Sequence, residues 1–252
     1  MPGTTPPNGE FERLVAEAAR APLEGWDFSY LNDRMTESAL PWDYCARVRE
    51  RMAGVTSTLD MGTGGGEILS SLVPLPPHTF ATEAYAPNVI VARRRLAPLG
   101  VEVHDTTADL HGRHLPFPDA QFDLVINRHE EYIATEVWRI LRPGGRFITQ
   151  QCAEYCVDLA EWFLGKPFVD ITDWLLEDVG FRVIDRQQAF LERAFFDVGA
   201  VVYYLRAVPW IVSDFTVERY KDRLFATHQH IQKHGRFITR DARSLLEAVK
   251  PG

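Results

Sequence analysis

Leu59-Asp60-Met61-Gly62-Thr63-Gly64-Gly65-Gly66-Glu67 is the stretch on which the fold turns. Before it, STLDMG (57–62) reads as a short buried strand that ends in glycine. After it, GGGEILSSLV (64–73) opens a helix. Glycines alternate at 62, 64 and 66, where missing Cβ atoms let the backbone turn tightly and approach a ligand closely. The dinucleotide pattern G-x-G-x-x-G would need glycine at 67, and this chain has Glu67. A carboxylate at a helix N-terminus is a poor neighbour for a pyrophosphate and an acceptable one for a ligand carrying positive charge. No G-K-[ST] follows for a nucleoside triphosphate.

Outward from this loop, strands and helices alternate. HTFATEAY (78–85) is a second strand, and APNVIVARRRLAPLG (86–100) a helix with Pro87 in its first turn and Gly100 at its end. VEVHDTTAD (101–109) is a third strand and its loop, and FDLVINRH (122–129) a fourth strand. YIATEVWRILRPGG (132–145) is a helix stopped by Pro143-Gly144-Gly145, and RFITQQC (146–152) a fifth strand. Such alternation implies right-handed crossovers and a largely parallel sheet covered on both faces. Towards the C-terminus follow a short helix (170–180), a sixth strand (181–190), a buried helix (195–210) and another helix (217–235). RSLLEAVK (243–250) leans to helix by propensity and to strand by fold context, and is taken as a seventh strand.

Acids sit at the ends of successive strands. Glu83 closes the second, where a carboxylate in a doubly wound sheet can accept from both ribose hydroxyls of an adenosine. Asp109 follows the third, where it could accept from an exocyclic adenine amine. With Asp60 at the end of the first strand, three acids in register with a glycine loop point to a nucleoside site.

With LDMGTGGGE (59–67), ATEAYAPN (81–88), TTADLHGRHLPFPDAQFDLV (106–125), INRHE (126–130) and ILRPGGRFITQQ (140–151), the chain resembles a class I S-adenosylmethionine-dependent methyltransferase. The likeness covers roughly 57–151 and is specific to fold and cofactor, not to the methyl acceptor. It implies an α/β, Rossmann-like, doubly wound, mostly parallel seven-stranded sheet, with an N-terminal helical cover and a helical insertion between the sixth and seventh strands. It also implies S-adenosyl-L-methionine as cofactor and S-adenosyl-L-homocysteine as product. Gly62, Thr63 and Gly64 would wrap the methionine and ribose, and Asp60 would orient that loop or meet the ammonium through water. Glu83 would take the ribose, Ala84 would pack on adenine, and Asn88 would belong to the same cofactor wall. Asp109 and Leu110 would contact the adenine edge and face, and Asn127 and Arg128 would border cofactor and acceptor. Many amino methyltransferases of this fold carry N/D-P-P-Y/F after the fourth strand. Here Asn127-Arg128-His129-Glu130 stands instead, which counts against methylation of planar amines of that type.

Methyl transfer from a sulfonium is an in-line displacement that needs a base only when the nucleophile must lose a proton. His129 is the candidate base, and Glu130 or Glu131 could orient it or bind a cationic acceptor. Trp26, Tyr30, Trp42 and Tyr44 precede the first strand, and Tyr203, Tyr204 and Trp210 follow the sixth. Each reads singly as core and together as the lining of a pocket for a flat or apolar molecule. His228, His230 and His234 lack the glutamate of H-E-x-x-H and read as a solvated helix, so no metal is expected.

Composition narrows the partners. With 35 acidic and 27 basic residues the net charge is -8, which counts against a polyanion substrate. Three cysteines without a C-x-x-C read as reduced cytoplasmic thiols. Neither a signal peptide nor a membrane span is expected. One methyltransferase domain over 1–252 is expected, divided into a helical cover (1–56), a cofactor-binding half (57–151) and a substrate-side half (152–252). The expected activity is O- or N-methylation of a small molecule by a monomer or homodimer. The alternatives are methylation of a ribosomal or transfer RNA base and a non-catalytic cofactor-binding partner subunit.

Overall fold

A computed structural model describes residues 7–23, 28–109, 114–152, 157–165 and 176–252. The elements in chain order begin with α1 (Pro7–Arg20), β1 (Met35–Glu37), α2 (Tyr44–Met52), β2 (Ser57–Met61), α3 (Glu67–Ser71), β3 (His78–Glu83), α4 (Ala86–Leu96) and β4 (Glu102–Asp105). They continue with β5 (Phe122–Arg128), α5 (Ala134–Ile140), β6 (Leu141–Gln151), α6 (Val157–Leu164), α7 (Leu176–Val179), β7 (Arg182–Phe195), α8 (Val198–Ala207), α9 (Lys221–His234) and β8 (Phe237–Val249).

Among the described residues one sheet has the order β1-β7-β8-β6-β5-β2-β3-β4. The neighbours β4, β3, β2, β5 and β6 are parallel, and β8 is antiparallel to β6. The chain runs outward from β2 through β3 to β4, then returns to the other side of β2 with β5 and β6. Strand order therefore reverses between β2 and β5, and ligands of open α/β sheets bind at that place, beyond the carboxyl ends of the strands. The register sets Asp60 beside Ile126 and Met61 beside Asn127.

The α/β class stands as expected, with eight strands instead of seven. The addition is β1, three residues paired antiparallel with Phe195, Ala194 and Arg193. Residues 243–250 are strand, not helix. Pairing of Arg146–Gln151 with Ser244–Val249 buries Leu245, Leu246, Ala248 and Val249, and that burial overrides the helical propensity. Pro143-Gly144-Gly145 falls inside β6 and does not end a helix, because α5 stops at Ile140. Gly144 N–H donates to Lys250 O, and Lys250 N–H donates to Gly145 O. Of the expected helix 170–180, residues 170–175 lie outside the described residues, and the remainder is α7. The expected helices between the last two long strands are α8 and α9.

Chain contacts form two compact units, each assembled from separate segments. One comprises 41–153, 172–189 and 243–252. Its sheet carries an apolar layer on each face. Val48, Met52, Leu69 and Leu96 pack with Leu124, Ile126 and Ile148. Val137 and Ile140 pack with Leu59, Val125 and Phe147. The alternation 124, 125, 126 is the two-residue period of a strand buried on both faces. The other unit comprises 1–40, 154–171 and 190–242. In it Phe11, Leu14, Val15 and Ala18 form one face of α1, packed in a core with Val198–Val202 of α8. Asp197 caps α8 by accepting from Ala200 N–H at 2.9 Å and pairs with Arg34 at 2.6 Å.

Candidate functional site

The glycine loop leaves β2 in the conformation its residues foretell. Gly62, Gly64 and Gly66 have φ of +67°, +63° and +82°. These are left-handed values that side chains with a Cβ resist. Thr63 N–H donates to Thr82 O at 2.9 Å, which ties the loop to β3. Glu67 is engaged by Arg95 of α4, so it opens α3 as half of an ion pair.

Three carboxylates surround this loop. Asp60 is buried and accepts from Thr63 Oγ1 at 2.7 Å. Burial pushes its pKa up to about 7; the Thr63 bond and Arg128 oppose the shift, and the nearby Glu83 charge adds to it. Glu83, also buried, accepts from Gly64 N–H at 2.6 Å and from Tyr85 N–H at 2.8 Å. Burial raises its pKa against the pull of these backbone bonds. Glu130 lies against Gly62: a Cβ there would meet Glu130 Cδ at 2.9 Å, and Cβ and Cγ more closely still. Burial, then Glu83 and Glu131, push its pKa up to about 7. Negative charge thus converges on a backbone that can approach a ligand closely. That donor and acceptor set fits hydroxyls and cations, and it does not fit a phosphate.

The carboxyl end of β5 supplies the facing residues. Asn127 is fully buried; its Oδ1 accepts from Thr149 Oγ1 at 2.8 Å and from Gln151 Nε2 at 2.5 Å. Arg128 is exposed and makes no hydrogen bond or ion pair with a described residue, yet its charge acts on both Asp60 and His129. His129 has φ +61°, uncommon outside glycine but better tolerated by His than by bulkier residues. The residue is exposed by surface area, although its ring is packed beside Gln150 and Cys152. Burial, then the like charges of Arg128 and Arg243, push its pKa down to about 3, so the imidazole is neutral near pH 7.

The remaining expected site residues divide. Ala84 follows Glu83 and is half-buried, and Asn88 is buried in the first turn of α4. Asp109 is half-buried and accepts from His114 N–H at 2.7 Å, which makes it a turn-holding group as well. Thr106 N–H donates to Glu83 O at 2.9 Å and brings that loop to the end of β3. Leu110 and Trp26 lie outside the described residues.

Of the aromatics, Tyr44 donates to Asn127 O at 3.3 Å and Trp42 Nε1 donates to Gln150 Oε1 at 2.9 Å, so both belong here. Tyr30 and Tyr203 do not line this site. They stack at 4.5 Å in the core of the helical unit, which also contains Tyr204. His230 and His234 lie 4.5 Å apart, ring centre to ring centre, on α9. His228 is buried against Phe11 instead of solvated. Thr82, Gln150, Gln151 and Cys152 were not singled out for the site by sequence reasoning. The signal was present in Q-Q-C, polar residues at the end of an otherwise apolar strand.

Residues 59–149 match a family model described as a methyltransferase domain. Over 210 residues the chain is 26% identical to the demethylmenaquinone methyltransferase of Symbiobacterium thermophilum, covering 77% of this chain and 82% of that one. Over 109 residues it is 32% identical to the fatty-acid O-methyltransferase of Mycolicibacterium smegmatis, covering 40% of this chain and 38% of that one. The chain also superimposes on a crystal structure from Bacillus halodurans C-125 to which a methyltransferase activity is ascribed. The TM-score is 0.59 at 19% identity, over 83% of this chain and 99% of the other. At that identity the likeness is one of fold. Among the described residues no helix is long and apolar enough to cross a membrane.

Proposed function

We propose that this chain, whose residues 59–149 match a methyltransferase-domain family model, is a class I S-adenosylmethionine-dependent methyltransferase that methylates a small molecule bound beside the end of β5. One observation carries the reading: Asp60, Glu83 and Glu130 converge on a left-handed glycine loop at the reversal of strand order. A sulfonium and an ammonium are stabilised by such charge, whereas a pyrophosphate is repelled.

In this reading the cofactor supplies an activated methyl group on sulfur. Gly62, Thr63 and Gly64 line the methionine and ribose, and Asp60 holds the loop through Thr63. Glu83 turns its oxygens to the ribose hydroxyls. Ala84, Asn88 and Asp109 form the adenine side. Glu130 is a counter-charge beside Gly62. Asn127 and Arg128 separate cofactor from acceptor, and His129 faces the acceptor. The cofactor assignment is tested by calorimetric titration with S-adenosyl-L-methionine and S-adenosyl-L-homocysteine. Binding of neither ends it.

Support for a small, flat or apolar acceptor comes from the two curated relatives, which are named for demethylmenaquinone and for fatty acids. The net charge of -8 points the same way. The RNA reading is tested with methyl-labelled cofactor: label entering total RNA while small acceptors stay unlabelled would favour it.

A further inference from the structure

The ends of β5 and β6 hold a hydrogen-bonded series that fixes one proton. Trp42 Nε1 is a donor only, so its partner at 2.9 Å is the amide oxygen of Gln150. The other end of that amide, Nε2, is therefore the NH2 group, and it faces His129 Nε2 at 3.3 Å. An NH2 can only donate, so His129 Nε2 accepts. A neutral imidazole carries one hydrogen, which must then be on Nδ1. There it faces Cys152 Sγ at 3.2 Å. The ring is also anchored from below, since His129 N–H donates to Gln150 O at 2.8 Å.

This arrangement removes His129 as a base. Its basic lone pair already accepts from Gln150, and a proton placed there would set two donors against each other. Arg128 and Arg243 oppose a third positive charge at the same place. The neighbouring groups are committed as well: Asp60 accepts from Thr63, Glu83 accepts from Gly64 and Tyr85, and Tyr44 donates to Asn127 O. Glu130 faces the glycine loop. Arg128, by contrast, is an exposed cation unpaired by any described residue. The site therefore holds an exposed cation beside the end of β5, and His129, with Nε2 accepting from Gln150 and Nδ1–H turned to Cys152, is not the base for an acceptor there.

We propose that the acceptor is a small acid whose oxygen arrives already ionised, as a carboxylate or an acidic enol or phenol, with Arg128 as its counter-charge. The inference rests on the methyltransferase reading above. The oxyanion forms the new O–C bond while the C–S bond of the sulfonium breaks. Its electron pair stays on sulfur, which becomes a neutral thioether, and no proton moves. Gln150 and Trp42 are positioning residues, because they act through His129.

The test uses the full chain, methyl-labelled cofactor and two matched series. One is dodecanoate, dodecan-1-ol and dodecylamine; the other is 2-naphthoate with the corresponding methanol and methylamine. Label should enter a base-labile ester from the carboxylates, with the alcohols and amines slower by roughly tenfold or more. Arg128→Gln should raise KM for the acid by about tenfold with a smaller change in kcat. At saturating S-adenosyl-L-methionine, which removes the effect of Asp60 and Glu130 on cofactor binding, His129→Asn and Gln150→Leu should leave kcat as flat between about pH 6 and about pH 8 as in the parent chain, because His129 takes up no proton. Faster labelling of an amine or alcohol would overturn the proposal. So would a pH-dependent rise abolished by His129→Asn, or no label in any of the compounds while S-adenosyl-L-homocysteine still binds. Failure to bind S-adenosyl-L-homocysteine would instead remove the methyltransferase reading beneath it.

Discussion

The side chain of Glu130 lies across the α-carbon of Gly62, so a Cβ at 62 would fall within 2.9 Å of Glu130 Cδ. Two residues far apart in sequence share one point of the loop. Gly62→Ala should therefore suffer twice, from a left-handed φ costing about 1–2 kcal/mol and from displacement of Glu130. We expect roughly tenfold weaker binding of S-adenosyl-L-homocysteine and a lower Tm. Adding Glu130→Ala should restore part of the loss. Strict additivity in a double-mutant cycle would show that the two side chains do not compete.

Glu83 holds the loop and faces the ligand with the same oxygens. Glu83→Ala should weaken cofactor binding by about 1–3 kcal/mol, the usual cost of lost bonds to a buried polar group. It also frees the N–H groups of Gly64 and Tyr85. Glu83→Gln, which keeps a carbonyl acceptor, should lose less. An unchanged calorimetric affinity in Glu83→Ala would remove its assignment.

The raised carboxyls make stability and binding oppose each other in pH. Asp60 and Glu130 both sit near 7 in the folded chain, against ordinary values of 3.8 and 4.5. Between those values and about 7 the folded state binds more protons than the unfolded one, so stability falls as pH rises through that window. A cationic ligand favours the ionised carboxylates, so its affinity rises over the same window. Melting curves of the ligand-free chain should shift downward from about pH 5 to about pH 7.5. The extra stabilisation given by S-adenosyl-L-methionine over S-adenosyl-L-homocysteine should grow instead. A difference independent of pH would contradict this.

In the helical unit, Arg193 is almost fully buried against Asp241 and also pairs with Glu37 at 2.7 Å. Its guanidinium lies 4.3 Å from the ring centre of Tyr204. Arg193→Ala strips a buried carboxylate of this cation and should cost about 3–5 kcal/mol in urea denaturation. The paired change Arg193→Met with Asp241→Leu should cost less. Equal losses would mean that packing, not charge, is what Arg193 supplies.

What could be read in advance depended on how local its cause was. The glycine loop, the strand-end acids and the alternation of elements were legible because each rests on a few adjacent residues. The strand β1 was not: three residues of Met-Thr-Glu become strand only because β7 runs beside them. Tyr30 and Tyr203 carried no mark separating a pocket wall from a core stack, since both bury the same rings. His129 was visible as a titratable group, but its tautomer was not, because that depends on Trp42 and Gln150.

By itself the sequence determined the α/β class, the left-handed turns at 62, 64 and 66, and the acids at the strand ends. The physical reason is that φ preference and strand alternation are properties of short segments. The tertiary structure alone decided that Glu130 meets Gly62 and that His129 turns a donor, not a lone pair, towards Cys152. Those facts follow from β5 lying beside β2, and β6 beside β5, a juxtaposition set by burying both faces of one sheet.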